Sequence, residues 1–284
     1  MNKLRILLTG TNGFVGKQLV LQLKRQGHEL FFITRKPVIG NHEFFWDYHT
    51  NLPILPEVDV IMHLAAYVRF DQDFNAELYQ VNTQATIKLA NYARQKNVCL
   101  IFTSSAGVHG TKGRFNSQSP IAPAGHYAVS KWLAEEYIKQ SLQNWIIIRI
   151  SGVYGLDGPA HLGLNHSLSE AYHKKIIPTI YGTGTGRRNY ILVSDLVNWL
   201  AYLCGHKALF IRQMIYMSSP EILTIREYLQ SISRILVDNQ PLKENSGNEG
   251  FDMIVEPSDA PVALTVFEDY LQQLKQIGTV TING

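Results

Sequence analysis

The chain has 284 residues, enough to bury a full core in one large domain or in a domain with a smaller lobe. Its 45% hydrophobic and 17% charged residues are those of an ordinary globular protein, and its net charge of +3 comes from scattered basic residues, which argues against a dedicated nucleic-acid surface. Cys99 and Cys204 lie in apolar contexts without a CxxC or a histidine cluster, so they read as reduced buried thiols and no metal site is expected.

In chain order, Arg5 to Thr9 is the first buried strand. The apolar run Ile6 to Leu8 is too short for a secretory signal, whose apolar region needs roughly 7–15 residues. No later stretch approaches the roughly 18 apolar residues of a membrane span, so the expected location is cytoplasmic and no membrane partner is expected. Phe14 to Gln26 has helical spacing, with Gly27 placed to cap it. Leu30 to Thr34, Val58 to Leu64, Val98 to Thr103 and Trp145 to Ile150 read as further strands. Helical stretches fall between them, near Ala76 to Arg94 and Tyr127 to Leu142. Alternation of this kind predicts an α/β fold, a doubly wound parallel Rossmann sheet with helices on both faces.

Past Ile150 the pattern loosens, and glycines and prolines crowd residues 152–163 and 178–186. Thr224 to Glu227 is a capping box that opens a helix through about Leu236. Lys243 to Pro261 reads as a long loop, and a last helix spans about Leu264 to Gln276, closed by Gly278. The expected organisation is a dinucleotide-binding domain over residues 1–150 and a smaller C-terminal substrate-binding lobe over 151–284, packed on it, with a returning Rossmann segment near 187–217.

Gly10, Gly13 and Gly16 follow a strand and open a helix, the context in which a glycine triplet binds a dinucleotide. Gly10 allows the tight turn, Gly13 lets backbone approach a pyrophosphate, and Gly16 lets helix and strand pack closely. An NAD site usually carries a carboxylate after the second strand. Here Thr34 is followed by Arg35 and Lys36, which could pair with a 2′-phosphate, so NADP(H) is favoured over NAD(H). Further along, Tyr127 and Lys131 are four residues apart, which puts both on one helix face. An ammonium group beside a phenol favours the phenolate, and a tyrosine so tuned can exchange a proton with a carbonyl near neutral pH.

The runs GTNGFVG, HLAA at His63 to Ala66, VNTQAT around Asn82, IFTSSAGVHG, YAVSK, RISGVYG and GTGTGRRNYILVSD occur in one order along most of the chain. In that order they resemble the extended short-chain dehydrogenase/reductase family of nucleotide-sugar epimerases, dehydratases and reductases. The resemblance implies Ser105, Tyr127 and Lys131 as catalytic residues: Tyr127 moves the proton, Lys131 holds the nicotinamide ribose and lowers the Tyr127 pKa, and Ser105 bonds the reacting oxygen. It implies cofactor contacts from Gly10, Asn12, Gly13, Phe14, Val15, Gly16, Asp47, Leu64, Ala65, Ala66 and Asn82, beside Arg35 and Lys36. It also implies that Arg188 pairs with a nucleotide diphosphate, with Arg187 able to substitute, that Asn165 contacts the diphosphate or substrate, and that Asp195 is structural. A homodimer through a four-helix interface of the stretches near Ala76 to Arg94 and Tyr127 to Leu142 is implied as well.

Departures narrow the reaction. Sugar-nucleotide 4,6-dehydratases carry an Asp-Glu pair directly after the serine, where this chain has Ala106 and Gly107, so elimination lacks its acid and base. Gly152 stands where many members have a substrate-contacting Asn, and His109 stands in place of a tyrosine and reads as a packing substitution, like the lone His126. The expected activity is that of an NAD(P)-dependent epimerase or 4-keto reductase acting at C4 of a nucleotide-activated sugar. Two alternatives stay open: a dihydroflavonol-reductase-like enzyme for small non-sugar carbonyls, and a non-catalytic NADP(H)-binding sensor or scaffold.

Overall fold

The computed structural model describes residues 2–70 and 73–282. The first stretch of chain contains β1 (Arg5–Thr9), α1 (Phe14–Arg25), β2 (Glu29–Thr34), β3 (Glu43–Phe45), β4 (Val60–His63), α2 (Ala76–Tyr79), α3 (Ala85–Lys96), β5 (Cys99–Ser105), β6 (Gly113–Phe115), α4 (Gly125–Ser141) and β7 (Trp145–Ile150). Beyond it come β8 (Val153–Tyr154), α5 (Gly163–Lys174), β9 (Thr179–Tyr181), β10 (Arg187–Arg188), β11 (Ile191–Leu192), α6 (Val193–Gly205), β12 (Gln213–Met217), β13 (Leu223–Thr224), α7 (Ile225–Leu236), β14 (Lys243–Asn245), β15 (Met253–Val255) and α8 (Phe267–Ile282).

These elements form two compact units. One takes the chain up to Thr111, Ser117–Ile150 and Val197–Tyr216; the other takes Lys112–Asn116, Ser151–Leu196 and the chain from Met217 on. The first unit is built on a seven-stranded sheet in the order β12-β7-β5-β4-β1-β2-β3, with every pair from β3 to β7 parallel. Its central strands are apolar on both faces because helices cover both, so β1, β4 and β5 are buried almost throughout. The strand order reverses between β1 and β4, the position where ligands bind at the carboxyl ends of an open α/β sheet.

The second unit holds a small sheet ordered β13-β10-β15-β6 and a separate core in which α5, α7 and α8 pack around Leu168, Tyr228, Ile232 and Leu271. Thr224 caps α7 through the reciprocal bonds with Glu227 that the capping box demands.

Three local expectations change. Residues 243–261 are not a bare loop: β14 pairs with β9, and β15 pairs with β10 and β6. Such short strands are specified by distant partners, so no local pattern announces them. Gly278 does not close the last helix but lies inside α8, where an added Cβ would be in ordinary contact 3.6 Å from Tyr172. The helix near residue 76 is interrupted by a π-turn over Gln80–Gln84, a local widening that recurs at functional sites and here carries Asn82. Among the described residues no helix is long and apolar enough to cross a membrane, and no cluster of His, Cys, Asp or Glu could hold a metal ion.

Candidate functional site

The glycine turn closes the carboxyl end of β1. Gly10 adopts φ +74°, a left-handed conformation that glycine enters freely. A Cβ there would lie 2.6 Å from the backbone nitrogen of Ala65, in the segment that leaves β4. Gly13 N donates to Gly10 O at 3.0 Å, and a Cβ on Gly16 would stand 2.2 Å from that same Gly10 oxygen. Gly13 is the N-cap of α1 and no side chain caps it, which leaves the helix N-terminus facing the turn with backbone donors. Asn12, Phe14 and Val15 lie in this turn and first helical residues, and Leu64, Ala65 and Ala66 leave the adjoining strand end. This cradle of backbone fits a pyrophosphate. Gly16→Ala is expected to lower dinucleotide affinity on the order of tenfold, about 1.4 kcal/mol, read by fluorescence titration with NADPH and NADH.

Ser105 ends β5 and caps the short 3-10 turn Ala106–His109, its Oγ accepting from Gly107 N at 3.1 Å. Tyr127 sits in the first turn of α4, half-buried, with the ring of Phe70 edge-on at 5.4 Å. Lys131 is 1% exposed, and its Nζ lies over the Phe102 ring of β5 at 4.3 Å. Asn82 braces this helix. Its amide nitrogen donates to Tyr67 O and to Ser130 Oγ, its Oδ1 accepts from Tyr67 N, and Ser130 Oγ donates to Tyr127 O at 2.7 Å.

The electrostatics differ from the expected lowering of the Tyr127 pKa. Burial pushes the phenol up to about 12, and burial also pushes the Lys131 amine down to about 7, with Glu135 opposing. Removing both groups from water penalises both charged forms, and an amine that sheds part of its charge near neutral pH supplies less field to a phenolate than a full ammonium would.

A buried chain that motif reading passed over runs behind these residues. Thr86 Oγ1 donates to Asn82 O, so it accepts from His63 Nε2 at 2.9 Å, and His63 Nδ1 then accepts from Thr9 Oγ1 at 2.6 Å. Thr9 Oγ1 in turn accepts from Ala65 N at 3.0 Å. Every polar atom is satisfied only with His63 neutral, and burial, aided by the Lys131 charge, holds its pKa down to about 3. The folded pKa lies below the unfolded one, so the unfolded chain binds an extra proton between about pH 3 and 6.5 and stability falls as pH drops through that window. His63 is expected to contribute about 1.4 kcal/mol of lost stability between pH 7.5 and 5.5. His63→Gln should remove that share of the slope, measured as the difference in urea midpoints at the two pH values.

The remaining predicted residues divide. Arg35 is exposed and lies over the Tyr48 ring at 5.6 Å, and Lys36 is exposed beside it. Asp47 Oδ1 accepts from His49 N, Thr50 N and Thr50 Oγ1, which holds its carboxyl below the usual range and orders its own turn. In the second unit, Asn165 is fully buried: its amide donates to Val153 O and Pro159 O and accepts from Gly155 N. That corrects its reading as a diphosphate or substrate contact, because the amide is spent on the backbone of residues 153–159. Arg187 is engaged by Asp252, so it is not an equivalent substitute for Arg188. Arg188 bonds to the carbonyls of Arg187 and Phe251 and lies over the Phe251 ring at 5.1 Å. Asp195 accepts from Thr265 N and Oγ1. At Gly152 a Cβ would meet the Tyr190 ring at 2.3 Å, so Tyr190 fills the space of the missing side chain. His109 is buried and bonded to Pro120 O and the Tyr216 hydroxyl.

Residues 6–215 match the model of the NAD dependent epimerase/dehydratase family. Among curated relatives, UDP-glucuronic acid decarboxylase 1 of Danio rerio is 28% identical over 264 residues, covering 84% of this chain and 62% of that protein. The chain thus spans about three-fifths of the length of this relative and of its Xenopus tropicalis counterpart, of which it covers 60%. A putative UDP-glucose 4-epimerase of Methanocaldococcus jannaschii is 27% identical over 216 residues, 67% of this chain and 70% of that protein. Among solved structures, MoeE5 in complex with UDP-glucose and NAD superposes with a TM-score of 0.77 at 21% identity over 99% of this chain and 100% of that one. UDP-glucose 4-epimerase from Thermotoga maritima with UDP-glucose gives 0.78 at 17% identity over 98% and 99%. At these identities the structures establish the fold.

Proposed function

Because the chain belongs to the NAD dependent epimerase/dehydratase family, we propose that it is an NAD(P)-dependent epimerase or 4-keto reductase of a nucleotide-activated sugar. The observation that carries this reading is that Ser105, Tyr127 and Lys131 belong to the same unit as the glycine cradle, Ser105 at a carboxyl strand end and the other two on the helix that packs against that strand. When bound, the nicotinamide accepts or supplies the hydride at the sugar C4. Tyr127 gives or takes the proton at the C4 oxygen. Ser105 Oγ accepts from Gly107 N, which leaves its hydroxyl proton available to donate to that oxygen as charge develops on it. Lys131 holds the ribose hydroxyls, and Asn82 keeps the Tyr127 turn in place through Ser130. Arg188 takes the nucleotide diphosphate, for which its planar fork is suited.

Finer points follow from particular residues. Arg35 and Lys36, exposed where an NAD site carries a carboxylate, favour NADP(H), and competition of NADP⁺ against NAD⁺ for bound NADPH tests that choice. Buried Ala106 and the backbone of Gly107 bring no proton-transfer group next to Ser105, so 4,6-dehydration is not the proposed reaction. Cytoplasmic location and a homodimer through α3 and α4 complete the reading.

The test is a thermal-shift panel of UDP-glucose, UDP-glucuronic acid and dTDP-glucose with NAD⁺ or NADPH, followed by product identification. At least one sugar nucleotide is expected to raise the melting temperature, since a ligand of the native state stabilises it by mass action. Turnover without net NADPH use marks an epimerase; consumption with a 4-keto sugar nucleotide marks a reductase. One observation favours a second reading, reduction of a small apolar carbonyl: Phe70 and Phe74, 63% and 71% exposed, lie beside Tyr127 and His126 respectively. A shift with a hydrophobic ketone and none with any sugar nucleotide would select it.

A further inference from the structure

The face of α4 that carries Tyr127 and Lys131 continues one turn further to Glu135, since the three are spaced four residues apart. Lys131 and Glu135 are 1% and 0% exposed. Glu135 is also the partner of Arg149, which rises from β7 and is itself 1% exposed. Arg149 grips both carboxylate oxygens, Nε to Oε1 at 3.2 Å and Nη2 to Oε2 at 2.6 Å. Its remaining arm, Nη1, meets the Tyr216 hydroxyl of β12 at 2.7 Å and His109 Nε2 at 2.9 Å.

The charges in this cluster can be counted. Pro120 O can only accept, so His109 Nδ1 carries the proton and its Nε2 lone pair faces Arg149, which makes His109 neutral. His63, stacked with the Phe102 ring on which Lys131 rests, is neutral by its own hydrogen bonds. Tyr127 and Tyr216 are phenols raised in pKa by burial. Among the described residues, one carboxylate thus lies on the buried helix face one turn from Lys131, and both of its oxygens are held by Arg149.

We propose that Lys131 and Arg149 compete for Glu135, so that the Glu135–Arg149 pair is a positioning device that sets the charge carried by Lys131. Arg149 has the better geometry, a two-pronged grip across the sheet. Lys131 is left on the face of Phe102, with no direct bond to the carboxylate one helical turn away. Burial drives the ammonium to shed its proton and Glu135 partly restrains it; the grip of Arg149 on both oxygens limits how far that carboxylate can turn toward the amine. A buried pair kept only for stability has no such consequence, because apolar replacement of both partners is then neutral or favourable.

The consequence for catalysis rests on the proposed role of Lys131 beside Tyr127, but the test reads the amine itself and needs no substrate. Protein labelled with ¹³C at lysine Cε is titrated by NMR, and Lys131→Met assigns the resonance. Glu135→Gln is expected to lower the titration midpoint by about one pH unit, a tenfold weaker hold on the proton. Arg149→Met is expected to raise it by a similar amount, because the freed carboxylate turns to Lys131. The double variant should titrate low, like Glu135→Gln. Should Arg149→Met fail to fold, Arg149→Lys decides, since its point charge grips one oxygen in place of two and the midpoint should again rise. Shifts of the same sign in the Glu135 and Arg149 variants, or no shift in either, overturn the proposal. Opposite shifts with no sugar nucleotide binding would leave the charge-setting pair intact while the sugar reading fails.

Discussion

Replacing Tyr127 with phenylalanine is expected to lower turnover by a factor of about 10²–10⁴, the usual worth of a positioned proton donor, or roughly 3–5 kcal/mol in the barrier. The substitution removes one oxygen and leaves the ring. That ring makes the packing: it meets Phe70 edge-on, and the turn beneath it is held by Ser130 through the Tyr127 backbone oxygen. Dinucleotide affinity and melting temperature should therefore stay close to the parent. With burial pushing the phenol up to about 12, Tyr127 is protonated across the neutral range, the state that the proposed donation to a developing alkoxide requires. Stopped-flow reading of nicotinamide absorbance separates the step: binding of NADPH or NAD⁺ should proceed normally and hydride movement should fail. Unchanged turnover would remove Tyr127 from the reaction and favour a non-catalytic NADP(H)-binding protein.

Lys131→Met is expected to abolish most activity and yet stabilise the chain. A buried amine whose folded pKa is about 7, against 10.5 when free, disfavours the folded state at and below neutral pH. The sign follows from proton counting. Between about pH 7 and 10.5 the unfolded chain binds the extra proton, so stability rises with pH through that window, and the full penalty of burying the ammonium is present below pH 7. Methionine has similar volume and no charge to desolvate. The gain should be on the order of 2–4 kcal/mol at pH 6.5, less than the proton linkage alone because the contact with Phe102 and the field of Glu135 are also lost. For a chain of this size that is a rise of several degrees in melting temperature. The gain should shrink steadily toward pH 10, which distinguishes relief of a buried charge from better packing. A variant less stable than the parent at pH 6.5 would show that the ammonium is held more favourably than its burial implies.

The two variants ask different things of one helix. Tyr127 is half-buried and removal of its hydroxyl tests the proposed role at little structural expense, whereas Lys131 is a buried amine that stability alone would not select.

Much of the fold was legible because its determinants are local. Apolar runs of four to seven residues separated by helical spacing announce a parallel sheet, and β1, β2, β4, β5 and β7 lie close to where those runs fall. Glycine spacing placed the turn after β1, and spacing of four placed Tyr127 and Lys131 together on α4. The short strands β9, β10, β14 and β15 were not legible, since two or three residues carry no period and their pairing joins segments about 65 residues apart. Gly278 misled because a glycine near a helix end resembles a cap; the helix continues past it.

What the sequence alone determined, then, was the order of the main parallel strands and the helices between them, the family and the chemical types available at the carboxyl ends of those strands. Those follow from period, turn residues and motif order, which are properties of neighbours in the chain. Only the tertiary structure decided how those groups are charged and which are already spent. It turned Asn165 inward onto the backbone of residues 153–159 and tied Arg187 to Asp252. It put Glu135, one helical turn from Lys131, in the grip of an arginine fourteen residues away on another element. The physical reason is that a pKa and a free hydrogen-bonding group depend on burial and on partners across space, and neither is encoded in the spacing of residues along the chain.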